Sequence, residues 1–425
     1  MQTVRIPYGK NSFDLSFDPS SFTVVGGSAK NRPLPDRELG LAIDEPVVGP
    51  RLEEIVEDGG TVLIVVPDAT RRSASGQVVN LLIRRLIAAG VMPYDINAIF
   101  ATGIHRPVTE EEKAAILTPF IAQRTATLEH RPRDLMNIVR LGETRGGIPV
   151  ELNRALNEFD HVITVGSVTF HYFAGFTGGR KLICPGLASS RTVAETHKLA
   201  FDTEKLSRAE GVGPGRLGGN PVHEAFVEAV EFASPSFSVN TIVDGSGAAY
   251  AAVCGDWIEA HEKACERYAA EHVIEIESRR PIVAAGCGGY PFDINLIQAH
   301  KALDSASYAC EEGGTIVLFA ECPDGTGKAD MAEWFEASSS AELAEKLAGN
   351  YKVNGQTAWS IRQKAERFDV RMVTDLPAEL VEMAGMKKIG ADEAQDIVRS
   401  SEGGYILPFG AKFLPRVAVD RSDTR

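Results

Sequence analysis

Short apolar runs rich in β-branched residues alternate along the chain with longer amphipathic stretches. The apolar runs predict buried parallel strands at TVLIVV (61–66), INAIFAT (96–102), HVITVGSV (161–168), PIVAAG (281–286) and TIVLFA (315–320). The amphipathic stretches predict helices at GQVVNLLIRRLIAAG (76–90), PVHEAFVEAVEFA (221–233) and INLIQAHKALDSASYACEEGG (294–314), the last ended by two glycines suited to a helix C-cap. The repeated alternation of a strand with a helix predicts an α/β fold with right-handed crossovers.

A domain boundary is predicted near 270–280, where a helical stretch gives way to the charged ESRRP and a fresh strand. We expect two domains, 1–273 and 274–425, each with a largely parallel sheet flanked by helices, and a tail that returns to the first domain. Ligands of such folds bind at the carboxyl ends of strands and between domains, so we expect the active site in the interdomain cleft.

Composition excludes several classes of protein. The 425 residues are 44% hydrophobic and 24% charged, with 44 Lys+Arg against 58 Asp+Glu, a formal net charge of -14. Without a basic patch, such a chain is not expected to bind nucleic acid. The longest uncharged stretch, 161–179, is broken by glycines and polar residues, so no membrane span is expected. The six cysteines show no CxxC spacing and the start shows no signal-peptide pattern, so the cytoplasm is the expected location.

Two polar clusters follow the first two predicted strands. In VVPDATRRSASG, Asp68, Thr70 and Arg71 gather a carboxylate, a hydroxyl and a guanidinium, a set suited to a ribose or a carboxylate. A capped loop with surface arginines is the alternative. In ATGIHRP, His105 follows a strand beside a glycine, where it suits general acid–base catalysis or a structural role.

The densest cluster is GSVTFHYFAGFTGGRKLICPGLASSRTVAETHKLA. It brings His171, a glycine-rich turn, Arg180, Lys181 and a helical His197 into about thirty residues. Glycines beside basic residues let backbone N–H groups approach a phosphate, although the pattern is neither a Walker A nor a GxGxxG motif. This density of functional groups favours a functional over a purely structural segment.

A fourth cluster, GCGGYPFDINLIQAHKALD, opens a helix after the strand at 281–286. Gln298 and Lys301 lie three residues apart and therefore share a helix face, which could hold a small anion or simply face solvent. The histidines show no zinc-ligand spacing, and no G-x-S-x-G motif is present, so a zinc or serine hydrolase has no support.

Together, and in this order, the clusters resemble the lactate racemase family of nickel-pincer nucleotide enzymes over nearly the whole chain. The motifs are D-x-T-R (68–71), G-x-H-R (103–106), H-x-F-A-G-F-x-G-G-R-K (171–181), a histidine sixteen residues further on (His197), and Q-x-x-K (298–301). Each motif alone is weak, whereas all five in register are specific.

The resemblance implies a cofactor in which a sulfur–carbon–sulfur pincer on a pyridinium mononucleotide holds nickel. By position, Lys181 is the attachment residue through a thioamide, and His197 is the nickel ligand. The remaining roles implied are nucleotide or substrate-carboxylate binding by Asp68, Ala69, Thr70 and Arg71, acid–base catalysis by His105 and His171, and substrate contacts by Arg71, Gln298 and Lys301. The resemblance also implies, as partners, a 2-hydroxy acid substrate and the enzymes that make the cofactor.

The implied activity is racemisation of lactate or a related acid such as malate. Two histidines can each take or return the hydroxyl proton while a hydride moves to the cofactor and back. A non-catalytic carrier or maturation partner that binds the same cofactor is the alternative, and a chain lacking either histidine would favour it. Many members have a proline soon after the D-x-T-R arginine, whereas Arg72 and Ser73 follow it here. Turned inward, Arg72 could accept a second carboxylate, as in malate; turned outward, it is a surface arginine.

Overall fold

The computed structural model describes residues 1–27, 31–56 and 59–418. The chain divides into two compact units. The first unit comprises Lys30–Ala200 and Glu210–Ala269; the second comprises Met1–Ala29, Phe201–Ala209 and Ala270–Arg425. No helix among the described residues has the length and apolar character needed to cross a membrane.

The strands of the described residues are, in chain order, β1 (Gln2–Tyr8), β2 (Asn11–Phe17), β3 (Phe22–Val24), β4 (Val62–Pro67), β5 (Ile96–Ala101), β6 (Ala126–Leu128), β7 (Ile138–Glu143), β8 (Pro149–Asn153), β9 (His161–Ser167), β10 (Phe170–His171), β11 (Gly175–Phe176), β12 (Phe201–Asp202), β13 (Ser207–Arg208), β14 (Phe237–Val243), β15 (Ala249–Gly255), β16 (Val273–Ile276), β17 (Arg280–Gly286), β18 (Cys310–Phe319), β19 (Asp369–Val373), β20 (Lys387–Lys388), β21 (Gly404–Leu407) and β22 (Leu414–Val417).

The helices are α1 (Asp36–Asp44), α2 (Leu52–Ile55), α3 (Ser75–Ala88), α4 (Glu110–Leu117), α5 (Pro119–Ala122), α6 (Ala155–Glu158), α7 (Ser190–Lys198), α8 (Pro221–Glu231), α9 (Glu259–His272), α10 (Leu296–Ala309), α11 (Met331–Trp334), α12 (Ser340–Gly349), α13 (Val353–Arg367), α14 (Ala378–Met383) and α15 (Ala391–Ser400). Short 3₁₀ helices span Pro93–Asp95 and Gly179–Leu182.

The first unit is built on a six-stranded sheet in the order β15-β14-β9-β4-β5-β6. All neighbours are parallel except β14 and β15. Strand β4 is buried along its whole length, because its near-continuous aliphatic sequence is covered on both faces. The chain continues from β4 to β5 on one side and later adds β9 on the other. Loops leaving β4 and β9 therefore diverge, which makes their carboxyl ends the expected ligand site of this sheet.

The second unit has a six-stranded sheet of entirely parallel neighbours in the order β20-β19-β18-β17-β21-β3. Its strand order also reverses at a central strand, β17, and helix α10 follows that strand. Burial of one face of α10, including Leu303 and Ala306, against the sheet fixes the helix in place. Side chains on α10 near the carboxyl end of β17 are thus positioned by the core beneath them.

The predicted α/β fold, with two largely parallel sheets flanked by helices, is confirmed. One detail was wrong: the helix predicted over 294–314 ends at Ala309, and Gly313 and Gly314 lie within β18 rather than capping the helix. The run of apolar residues in TIVLFA extends backwards as strand, because β18 pairs with β17 from Cys310 onward.

The unit boundaries differ in part from the predicted division at 273/274. The first residues of the chain belong to the second unit, since β3 pairs with β21 and Ile6 and Phe17 enter its core. Near the other end, β22 pairs with β16 in that same unit, whereas the tail was expected to return to the first domain. Residues 419–425 lie outside the described residues.

Candidate functional site

The turn that follows β4 places Asp68 at the carboxyl edge of the first sheet. The Asp68 carboxylate is buried, and its Oδ1 accepts the Thr70 backbone N–H at 3.1 Å and the Thr70 hydroxyl at 2.6 Å. Ala69 and Thr70 are exposed at the tip of this turn, and Arg71 follows half-buried. Burial lowers the pKa of Arg71, and the neighbouring charge of Asp68 opposes that shift.

His105 reaches Asp68 from the loop after the adjacent strand, β5. Its Nδ1 lies 2.7 Å from Asp68 Oδ2, and its side chain is 44% exposed against 8% for the carboxylate. Burial raises the pKa of Asp68, but the hydrogen bonds from His105 and Thr70 and the charge of Arg71 outweigh burial and hold that pKa below its ordinary value. Because an ionised carboxylate only accepts hydrogen bonds, His105 Nδ1 donates, and the lone pair of a neutral His105 ring sits on Nε2.

His171 stands on a small hairpin after β9, in which β10 pairs with β11 and His171 lies opposite Gly175. Glycine is required at that partner position: φ is +77°, and an added Cβ would lie 2.1 Å from the carbonyl oxygen of Arg216. The ring is buried, and Nδ1 accepts the backbone N–H of Ala174 at 3.3 Å. A neutral His171 therefore carries its proton on Nε2.

The two histidines thus favour opposite tautomers. Asp68 makes Nε2 of His105 a proton acceptor, whereas the Ala174 N–H makes Nε2 of His171 a proton donor. A neighbouring group that fixes one ring nitrogen decides the chemistry of the other. Such a pair supplies a base and a hydrogen-bond donor without any change of charge beforehand.

Lys181 and His197 border one pair of aromatic rings. Lys181 Nζ lies 5.3 Å from the ring centroids of both Phe173 and Phe226. The His197 ring lies 5.0 Å from Phe173 and 5.6 Å from Phe226, centroid to centroid. The primary amine and the imidazole therefore face the same apolar surroundings.

His197 is buried near the end of α7. Burial first, and then the charge of Lys181, lower its pKa to about 3. The ring is consequently neutral at physiological pH, the state in which imidazole binds a metal. A neutral imidazole and a primary amine beside the same rings fit a metal-bearing organic cofactor that is ligated by one residue and linked to the other.

In the second unit, Gln298 and Lys301 share a face of α10 as predicted, and Lys301 Nζ donates to Gln298 Oε1 at 2.6 Å. One turn further along the helix, Asp304 belongs to a buried ion cluster. Asp304 accepts from Lys364 at 2.8 Å and from Arg208 at 3.1 Å. The cluster fixes the helix that carries the two predicted substrate residues, whose role stays a prediction.

Arg72 is held by the turn between β14 and β15. Its Nη1 donates to the carbonyl oxygen of Gly245 at 2.6 Å, and its side-chain carbons come within 3.0–3.4 Å of an ideal Cβ built on Gly247. The sequence left the direction of the Arg72 side chain open. In the structure, the guanidinium is hydrogen-bonded to a backbone carbonyl in this turn.

Sequence reasoning missed the pairing of Asp68 with His105 and the contacts of Arg180 and His261. The first could have been found, since both residues end adjacent parallel strands. The second could not: Arg180 and His261 lie 81 positions apart, with no shared pattern. His130, outside the five motifs, is buried, with Nε2 at 3.2 Å from the Ala188 carbonyl oxygen and Nδ1 at 3.2 Å from Asn153 Nδ2.

His130 gives the first unit a predictable response to acid. Burial lowers the pKa of His130 to about 4, against about 6.5 in an unfolded chain. Between pH 4 and pH 6.5 the unfolded state therefore binds more protons than the folded state. The stability that is present above pH 6.5 is lost as the pH falls towards 4. When the pH is lowered from 7 to 5, the free energy of unfolding of His130→Gln is expected to fall by about 2 kcal/mol less than that of wild type. Urea unfolding at the two pH values measures this difference. Equal losses in both proteins would contradict this assignment.

Comparisons with known proteins show which family the chain is similar to. The family model for the lactate racemase N-terminal domain matches residues 8–208, and that for the lactate racemase C-terminal domain matches residues 276–402. The lactate racemase of Thermoanaerobacterium thermosaccharolyticum is 30% identical over 344 residues, covering 80% of this chain and 79% of that one. The lactate racemase of Lactiplantibacillus plantarum is 30% identical over 339 residues, covering 77% and 76%.

Solved structures give the same result. The lactate racemase apoprotein from T. thermosaccharolyticum matches with a TM-score of 0.87 at 25% identity, covering 98% of this chain and 100% of that one. A Thermotoga maritima protein shares the fold, with a TM-score of 0.71 at 19% identity over 93% of this chain and 100% of that one.

Fold, site and matches define the class of protein, an isomerase of the racemase type. The chain belongs to the lactate racemase family.

Proposed function

We propose that this chain racemises a small 2-hydroxy acid, with lactate as the first candidate, using a nickel-pincer nucleotide held at Lys181 and His197. The proposal is carried by the contacts of His105 Nδ1 with the Asp68 carboxylate and of His171 Nδ1 with the Ala174 N–H, from which opposite tautomers follow. The printed name of the two relatives, lactate racemase, supports the substrate. When bound, the cofactor supplies an acceptor that takes the C2 hydrogen as hydride and returns it.

Residues of this chain accept and return the proton of the substrate hydroxyl. His105 accepts the substrate hydroxyl proton at Nε2, and the Asp68 carboxylate stabilises the resulting imidazolium through Nδ1–H. His171 donates from Nε2–H to the substrate oxygen and returns a proton as negative charge develops there, as neutral imidazoles do in other isomerases. Over one turnover His105 gains a proton and His171 loses one, and exchange with water restores both rings.

The remaining roles follow from charge and placement. Arg71 offers a guanidinium fork to the substrate carboxylate. Gln298 and Lys301 offer an amide and an ammonium, which are groups suited to binding a small anion. His197 supplies the imidazole ligand for nickel, and Lys181 the amine for a thioamide. Attachment through Lys181 neutralises an amine that would otherwise be a half-buried charge beside the metal.

The direct test starts from protein produced together with the cofactor-making enzymes and mixed with one pure enantiomer of lactate. The optical activity is expected to decay to zero as both enantiomers reach equal amounts. A constant rotation with lactate, malate and longer 2-hydroxy acids, in protein shown to contain nickel, would refute the proposal.

Arg72 separates a monocarboxylic from a dicarboxylic substrate. Because its guanidinium is committed to Gly245, we expect Arg72→Ala to change kcat/KM for lactate less than about threefold, and to leave the ratio of malate to lactate turnover unchanged. The matched variant at the preceding position, Arg71→Ala, is expected to lower kcat/KM for lactate at least about a hundredfold, since it removes a charged hydrogen bond to the carboxylate. Selective loss of malate turnover in Arg72→Ala would show instead that Arg72 binds a second carboxylate.

A further inference from the structure

Arg180, which precedes the proposed attachment lysine, is a buried cation held by main-chain oxygens. Only 2% of the residue is exposed. Its Nη1 donates to the Phe176 carbonyl at 3.0 Å, and its Nη2 donates to the Ala174 carbonyl at 2.7 Å. In the described part of the chain, no carboxylate forms an ion pair or hydrogen bond with this guanidinium. Burying a charge without a counter-ion costs free energy of folding. The planar shape of the guanidinium and its several donors are therefore the properties that this position uses.

Ala174 links that guanidinium to His171. The carbonyl of Ala174 accepts from Arg180, and the N–H of the same residue donates to His171 Nδ1. The carbonyl of Phe176, in strand β11, is the second point of attachment. Arg180 therefore holds both the residue that bonds His171 and the strand that pairs with it. Its planar fork reaches two carbonyls at once, which a lysine ammonium on its flexible stem does not reproduce.

His261 contacts Nη1 of Arg180, the nitrogen that also donates to the Phe176 carbonyl. His261 Nε2 lies 3.0 Å from Arg180 Nη1 and 3.0 Å from the carbonyl oxygen of Thr177. The imidazole packs directly on Gly179, where an added Cβ would lie 2.5 Å from the ring. Gly179 also has a φ of +49°, so glycine is needed here for both space and conformation. The guanidinium thus has three neighbours, with His261 and the Phe176 carbonyl at Nη1 and the Ala174 carbonyl at Nη2.

We propose that Arg180 is a positioning residue for His171: by holding Ala174 and Phe176, it keeps the proton of the neutral His171 ring on Nε2. The proposal rests on the proposed function for its purpose, because a proton on Nδ1 would leave His171 unable to donate from Nε2. The tautomer itself can be measured without cofactor, substrate or turnover.

The experiment is ¹H–¹⁵N long-range correlation spectroscopy of the full chain with ¹⁵N-labelled histidine at pH 8, with His171 and His105 assigned from His171→Asn and His105→Asn. In wild type we expect His171 as the Nε2–H tautomer and His105 as the Nδ1–H tautomer. In Arg180→Lys the two ¹⁵N resonances of His171 are expected to move towards each other as the Nδ1–H form becomes populated. His105 serves as the internal control and stays unchanged, because Asp68 fixes it independently.

Two results would overturn the proposal: a wild-type His171 with its proton on Nδ1, or an Arg180→Lys protein whose His171 resonances match wild type. The variant's fold is checked by the unchanged His105 resonances. If Arg180→Lys fails to fold, His261→Asn, which removes the imidazole in contact with Nη1 of the guanidinium, replaces it with the same two expectations. Failure of the proposed function would appear as absent racemisation by loaded wild-type protein, with these spectra unaffected.

Discussion

Replacing His171 by asparagine in cofactor-loaded protein is expected to lower the rate of racemisation about a thousandfold, the usual loss for a general acid or base. The nickel content is expected to stay at the wild-type level, because the proposed ligand is His197. His105→Asn is expected to have an effect of the same size. The measurements are the initial rate of change of optical rotation from each enantiomer, and the nickel content by elemental analysis.

A matched control is available in the same unit. His223 is buried like His171, and burial and the charge of Arg180 lower its pKa to about 3. It has no role in the proposed site, so His223→Asn is expected to keep the rate within about threefold of wild type. Loss of nickel together with activity in His171→Asn or His105→Asn would assign a ligand role to that histidine and contradict its acid–base role.

Lys181→Ala is expected to abolish covalent attachment of the cofactor. Intact-protein mass spectrometry of wild type after co-production with the cofactor-making enzymes should show the apoprotein mass plus an adduct, and the variant should show the apoprotein mass alone. The physical reason is that the Lys181 amine lies with His197 beside Phe173 and Phe226, where a linked cofactor could place its metal at the imidazole.

Lys198→Ala is the control for attachment, since Lys198 directly follows the proposed nickel ligand but is assigned no role. It is expected to retain the adduct. An active wild-type protein with an unmodified mass would show that the cofactor is held without a covalent bond. An adduct that persists in Lys181→Ala would place the link on another residue.

Much of the fold could be predicted because the strands of both sheets are short apolar runs bounded by turns. The pattern in TVLIVV and PIVAAG is the direct consequence of burial on both faces of a parallel strand. The end of α10 could not be predicted in the same way. Its last residues and the start of β18 are both compatible with a helix, and pairing with β17 from Cys310 decides between them.

The candidate site shows a similar division. Its residues could be listed from motifs, because each motif follows a strand and ligands bind at strand ends. The contacts that decide their chemistry could not. The hydrogen bond of His105 to Asp68 spans 37 positions, and the one that fixes His171 comes from a backbone N–H whose orientation depends on a hairpin and on Arg180. Sequence patterns record side-chain types, whereas tautomers depend on neighbours in space.

The excess of acidic residues in the chain affects the binding of an anionic substrate. With a net charge of -14, the overall field opposes a small anionic substrate, so binding depends on local cations such as Arg71.

We propose racemisation by hydride transfer, in which two histidines accept and return the hydroxyl proton. One lactate enantiomer carrying deuterium at C2 tests this proposal most directly. Loaded protein in ordinary water is expected to give equal amounts of both enantiomers with the deuterium retained, as followed by chiral chromatography and mass spectrometry. Racemisation with loss of deuterium to water would show that C2 is deprotonated instead, and would contradict the account.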